Sequence, residues 1–340
     1  MRWFRRIGCG VAAVLLLSGL PAVPQTSRAP AQTQRIEIRA QAIESFDPRD
    51  SMQTQFGALR FRGGLVLSST HREFGGLSAL HMEAGGTRFL ALSDKGNWLR
   101  GRIVYRDGRP IAITDAEMSP VLGPDGRPVA SRRYWYDTEA LAADGGTLYV
   151  GIERAHEILR FDYRRDGVRA RGRPIALPPG VKSLPHNRGI ECLAKPSKGM
   201  PLSNHLIAIS ERGLDAAGNI IGFLIGPGGG TFTVKRTDEF DVSDCTVTPR
   251  GDLLILERRF SWARGLAVRI RRVPLSRIAP RALIDGPNLI FADMGQQVDN
   301  MEGMAVHRAA DGALVLTLVS DDNYSSLQRT MLLQFTLVGD

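Results

Sequence analysis

Short apolar runs alternate with polar turns along this chain, a pattern that predicts many short elements rather than a few long helices. Runs such as Leu90-Ala91-Leu92 are apolar on both faces, which suits strands covered on both sides better than a sheet half in water. The runs follow a common plan. An acid or glycine followed by a small residue opens one strand, a polar or glycine-containing turn follows, and a second apolar strand ends in an acid. The openings are Gly75-Gly76, Glu139-Ala140, Glu191-Cys192, Asp244-Cys245 and Glu302-Gly303. The closing acids are Asp94, Glu153, Glu211, Glu257 and Asp321, between 46 and 64 residues apart. Two further strand-like runs lie between units. Four strands per unit at this period predict an all-β fold, a β-propeller of four-stranded blades. Five units are legible, and strand-like pieces in residues 35–62 leave room for a sixth blade. Residues 330–338 would give the last unit its third strand and residues 64–69 its fourth. That N-terminal strand closes the ring, which otherwise leaves unpaired edges. A pair of β-sandwiches is the alternative, but it does not explain acids recurring in phase.

The first residues follow a different pattern. Residues 1–6 carry three arginines, residues 7–20 are uncharged and mostly apolar, and residues 21–31 end in Arg28-Ala29-Pro30-Ala31. This is the layout of a secretory signal peptide cleaved after Ala31, with an apolar run too short to span a bilayer. The expected mature chain is a single domain, residues 32–340, exported to the periplasm as a monomer without a membrane span. Loss of the leader's four arginines takes the net charge from +9 to +5. Arginines are spread through every segment, with no dense basic tract and no zinc-finger or RNA-binding spacing, so nucleic acid is not an expected partner. The remaining cysteines, Cys192 and Cys245, share their place in the repeat with Gly76, Ala140 and Gly303. An exported protein could oxidise them. The repeat makes them small packing residues instead, on inner strands too far apart for a disulfide.

In a propeller, the opening acids start the inner strands and the closing acids end the strands beside them, so both fall at one mouth. So many carboxylates need nearby cations. A bound Ca²⁺ or Mg²⁺ fits an all-oxygen donor set. The alternative is local base: Asp94-Lys95, Glu153-Arg154, Glu211-Arg212 and Glu257-Arg258 pair acid with cation, whereas Asp321-Asp322-Asn323 does not and is the most metal-like unit. His186 and Arg188, in a loop before Glu191, suit a phosphoryl group or another anion. Gly-x-Ser-x-Gly, His-Glu-x-x-His and P-loop signatures are absent.

Several segments in order carry a family resemblance: Phe74-Gly75-Gly76-Leu77-Ser78, Ser93-Asp94-Lys95-Gly96, Asn187-Arg188-Gly189-Ile190-Glu191, Leu256-Glu257-Arg258-Arg259-Phe260, Asn300-Met301-Glu302-Gly303 and Ser320-Asp321-Asp322-Asn323-Tyr324. Together they resemble the exported bacterial phytase-like family, described as "esterase-like activity of phytase", over roughly residues 56–337. The resemblance implies hydrolysis of a phosphoester or ester. The expected enzyme is a metal-assisted, phytase-like phosphoester hydrolase acting on a small phosphorylated substrate. Asp94, Glu211, Glu257, Asp321 and Asp322 would hold Ca²⁺. Glu191 and Glu302 would be catalytic, and Arg188, Arg212, Arg258, His186 and Lys95 would bind substrate. A non-catalytic envelope-binding propeller is the first rival. A carboxylic ester hydrolase is the second, although no serine with a neighbouring base is visible.

Overall fold

Five short strands form the centre of the molecule: Leu77–Met82, Thr138–Asp144, Ile190–Ala194, Asp241–Val247 and Met301–Arg308. In the computed structural model, which describes residues 32–339, each packs on the next and the fifth packs back on the first. The ring closes with five blades, numbered here in chain order, and the possible sixth is resolved. Gln34–Arg35 pairs with the outer strand of blade 1, and Arg39–Ile43 and Gln55–Phe56 pair with Leu59–Ser68 in blade 5. Thr330–Leu337 also pairs with Leu59–Ser68, so blade 5 combines strands from both ends of the described chain. Each blade has a core of four antiparallel strands, consecutive in the chain in blades 1 to 3, and added edge strands raise the sheets of blades 1, 3 and 5 to five, five and six. The proposed leader lies outside the described residues.

The doubly apolar runs are buried as their pattern requires. Leu253 to Leu256 are all fully buried. Five apolar clusters seal the five blade interfaces. For example, Leu256 and Ile270 of blade 4 meet Met304 and Leu318 of blade 5, and Leu80 and Ala91 of blade 1 meet Ala305 and Val319 of blade 5. The arrangement explains why inner strands lack the in–out alternation of a solvated sheet.

The cysteine expectation is overturned. Cys192 and Cys245 form a disulfide between the inner strands of blades 3 and 4, with Cα atoms 5.1 Å apart. The inner strands converge closely enough here to meet the short span that a disulfide needs.

Each inner strand also carries a β-bulge near its start. The residue facing no partner is Ser78, Glu139, Glu191, Ser243 or Glu302 in blades 1 to 5. A bulge re-aims the extra side chain, so these five residues mark equivalent positions more reliably than sequence pattern does.

Candidate functional site

The bulges fix the true register of the repeat. Two residues before them stand Gly76, Asp137, Gly189, Asp241 and Asn300. The carbonyls of Gly76, Asp137, Gly189 and Asn300 accept hydrogen bonds from the N–H groups of Asp94, Glu153, Glu211 and Asp321 at 2.8–2.9 Å. In blade 4 the residue opposite Asp241 is Arg258. The closing position therefore reads Asp94, Glu153, Glu211, Arg258 and Asp321. Glu257, expected as the fourth closing acid, lies one residue away, and Asp244 lies one residue beyond the bulge at Ser243. The ring thus gathers seven carboxylates (Glu139, Glu191 and Glu302 on bulges; Asp94, Glu153, Glu211 and Asp321 at closing positions) around one guanidinium.

All of these acids except half-buried Asp94 are buried. Carboxylate oxygens of Glu153, Glu191 and Glu211 lie within 4.8 Å of one another. Burial, followed by the charges of neighbouring acids, pushes Glu139 and Glu191 well above the ordinary glutamate range. Burial raises Glu153 to about 7, although the Gly189 N–H bonded to it at 3.0 Å pulls the other way. Burial and the charge of Asp321 raise Asp94 to about 7, and burial and Glu302 raise Asp321 to about 8. Arg258 Nη2 lies 3.1 Å from Glu302 and 3.7 Å from Glu211. Burial opposes its charge, but Glu302, Glu191, Glu211 and Glu139 outweigh that cost and hold its pKa above the usual arginine value. Its Nε has no acceptor among the described residues. Asn300 Nδ2 donates to Glu302 at 2.8 Å and to Asp321 at 3.5 Å, linking these acids.

The expected ligands therefore divide. Asp94, Glu211 and Asp321 join the cluster, as do Glu191, Glu302 and Arg258. Glu257 does not. It is fully buried within blade 4 and accepts from Arg269 at 2.8 and 3.2 Å and from Arg271 at 2.7 and 2.6 Å. Its lone pairs are committed to a structural ion cluster. Asp322 is also committed. It accepts from the N–H groups of Gly76 and Tyr324 and from Thr330 Oγ1, at 2.9, 3.0 and 2.8 Å, and pins blade 5 to blade 1. Asp244 is another inter-blade tie, accepting from the N–H groups of Cys245 and Met304.

The cations divide too. Arg188 Nη1 donates to Glu211 at 2.6 Å. Arg212 is committed to Asp241 of blade 4, which Arg236 also holds at 3.0 Å, so it locks blades together. Lys95 Nζ lies 2.9 Å from the centroid of the Tyr324 ring. Gly76 is required beside them: its φ is +59°, and a Cβ there would overlap Asp94 Oδ1 and Tyr324. His186 is exposed. His156, which pattern reading missed, lies beside it in the adjoining blade 2 loop. Burial and the nearby Lys182 and His186 hold it below the ordinary histidine value. The only sequence signal for His156 was its place three residues after Glu153.

The two remaining ring positions are serines. Ser78 Oγ donates to the Thr138 carbonyl at 2.6 Å and Ser243 Oγ to the Met301 carbonyl at 3.0 Å, each across a blade boundary. Neither faces a base.

These features define a five-bladed β-propeller whose inner strands present an acidic mouth with an arginine at its centre. The chain belongs to the phytase-like family described as "Esterase-like activity of phytase", whose profile matches residues 72–324. No curated protein matches it. Among solved structures it is similar to Myxococcus xanthus glutaminyl cyclase, with 12% identity over 78% of this chain and 92% of that one and a TM-score of 0.40. It is also similar to a chain of a nidogen/laminin complex, with 11% identity over 78% and 87% and a TM-score of 0.39. The WD40 domain of Toxoplasma gondii coronin gives 8% identity over 92% and 89% and a TM-score of 0.35.

Proposed function

We propose that this chain is an exported, periplasmic phosphoester hydrolase that works with a divalent cation, Ca²⁺ by preference, at the propeller mouth. The observation that carries the reading is the Glu153–Glu191–Glu211 triad, whose carboxylate oxygens approach within 4.8 Å although burial and neighbouring acids oppose the ionisation of Glu153 and Glu191. A hard, oxygen-binding cation fits such a donor set and would relieve that repulsion. When bound, it would neutralise phosphate charge and polarise the attacking water.

The chain's own residues supply the remaining roles. Arg258 offers its unpaired Nε to a phosphoryl oxygen while Glu302 and Glu211 hold the guanidinium in place. Glu302 accepts the proton of the attacking water as the new P–O bond forms. Asp321, raised to about 8 by burial and Glu302, is protonated at neutral pH and gives its proton to the departing alkoxide as the old P–O bond breaks. Burial raises Glu302 too, but Arg258 and the Asn300 amide pull it back toward the ionised form that a base needs. Arg188 flanks the path through its contact with Glu211.

Turnover of p-nitrophenyl phosphate and bis-p-nitrophenyl phosphate by the mature protein, with Ca²⁺ and with chelator, tests the reading. Hydrolysis of at least one ester, lost with chelator and reduced roughly 100-fold or more in Glu302→Gln, is expected. No turnover of any phosphoester would favour the binding propeller. Carboxylic ester hydrolysis through a ring serine has little support, since both hydroxyls are spent on carbonyls.

A further inference from the structure

The outer edge of blade 2 carries a second feature that the mouth does not use. Residues 160–173 contain six arginines, Arg160, Arg164, Arg165, Arg169, Arg171 and Arg173. In sequence they are separated by Asp162, Asp166 and apolar residues, so no basic block stands out. The fold assembles five of them. Arg160, Arg165, Arg169, Arg171 and Arg173 line a cavity of about 540 Å³ together with Asp162 and Asp166.

Both acids are already used. Arg165 lies 3.7 Å from Asp162 and 2.8 Å from Asp166. Arg160, Arg169, Arg171 and Arg173 make no side-chain hydrogen bond or close ion pair among the described residues, although the charge of Arg171 reaches Asp166. Arg160 and Arg173 are direct cross-strand partners, a like-charge pairing that destabilises a sheet when nothing lies between the charges. Arg171 and Arg173 flank buried Gly172, so in extended chain they share an outward face. Their backbone is held in place: Gly172 N–H donates to the Leu122 carbonyl at 2.8 Å, and a Cβ on Gly172 would overlap the Phe161 ring. The site is thus a concave, rigidly backed set of guanidinium forks with a surplus of positive charge. Guanidinium forks match the paired oxygens of phosphate, and the volume suits a compact ligand rather than a flat macromolecular face.

We propose that this cavity binds a compact polyanion carrying two or more phosphate groups, separately from the mouth. The same chemistry exists in a soluble polyphosphorylated molecule and in an anionic lipid headgroup, and the test distinguishes them.

The experiment is calorimetric titration of tripolyphosphate into the full mature protein at low salt, with chelator present to keep the mouth free of metal. The comparison variants are Arg160→Ala/Arg173→Ala, Arg169→Ala/Arg171→Ala and the charge-preserving Arg160→Lys/Arg173→Lys. Saturable binding to the wild type is expected, weakened roughly 10- to 100-fold in each alanine pair and less in the lysine pair. Phosphoester turnover should be unchanged in all of them, which separates this site from the proposed activity. Flotation with phosphatidylglycerol vesicles identifies the source: vesicle binding displaced by tripolyphosphate assigns a lipid headgroup, and tripolyphosphate binding without vesicle binding assigns a soluble ligand. Three results would overturn the proposal: no tripolyphosphate binding to the folded wild type, equal binding by the alanine variants, or capture of an oligothymidylate that tripolyphosphate does not displace.

Discussion

Arg258 shows how much one residue of register decides. It occupies the place that Asp94, Glu153, Glu211 and Asp321 hold in the other blades, so the ring's built-in counter-ion sits at an acid's position. Pattern reading assigned that place to Glu257, because Glu257 is the acid that ends the apolar run. Nothing local marks the slip. The inner-strand bulge is a three-dimensional irregularity, and Glu257 finds its partners, Arg269 and Arg271, on the adjoining strand rather than at the mouth. The glutamates on bulges, Glu139, Glu191 and Glu302, were legible because each precedes a small residue. Arg258→Ala should leave Glu302 and Glu211 without their shared cation. In chelator the loss of stability should be about 3 kcal/mol, measured by urea unfolding, and added Ca²⁺ should recover part of it. Unchanged stability in chelator would mean that Arg258 is not the counter-ion described here.

Among elements, the inner strands bear most of the design. Their doubly apolar runs were readable as buried strands, and the blade interfaces follow from them. What could not be read was how closely adjacent inner strands converge. Small residues follow the bulges in four blades (Ala79, Ala140, Cys192 and Gly303), where the strands crowd together, and Cys192 comes within disulfide range of Cys245, two residues past the blade 4 bulge. The bond spans 53 residues of sequence and joins blades 3 and 4 beside Glu191 and Asp244. Paired substitution Cys192→Ser/Cys245→Ser should lower stability by about 2–4 kcal/mol and leave the fold intact by circular dichroism, because the apolar clusters on both sides remain. A change below about 0.5 kcal/mol would show that interface packing alone holds these blades together.

Across the whole molecule, the closed ring brings carboxylates from four blades to one end, and their charge dominates its response to pH. Asp94, Glu153 and Asp321, raised by burial and neighbouring acids to about 7, 7 and 8, keep protons that the unfolded chain releases. Stability from these groups is therefore greatest in acid and falls as pH rises toward their folded values. His81, His156 and His307 act in the opposite sense. Burial holds each of them below the ordinary histidine value, so they gain stability as pH rises toward about 6.5. The acids consequently govern the interval from about pH 6.5 to 8. A cation in the triad would remove the repulsion among Glu153, Glu191 and Glu211 and with it the part of the fall that Glu153 contributes.

Thermal unfolding of the chelator-treated protein across that interval, with and without Ca²⁺, tests this most directly when run beside Glu153→Gln/Glu191→Gln/Glu211→Gln. Melting temperature should drop with rising pH in the metal-free wild type. Ca²⁺ at 100 times its dissociation constant should reduce the drop by the share of Glu153 and add about 2.7 kcal/mol, and the triple variant should show that smaller drop with no response to Ca²⁺. A flat profile without response to Ca²⁺, or a Ca²⁺ response that survives in the variant, would contradict the account.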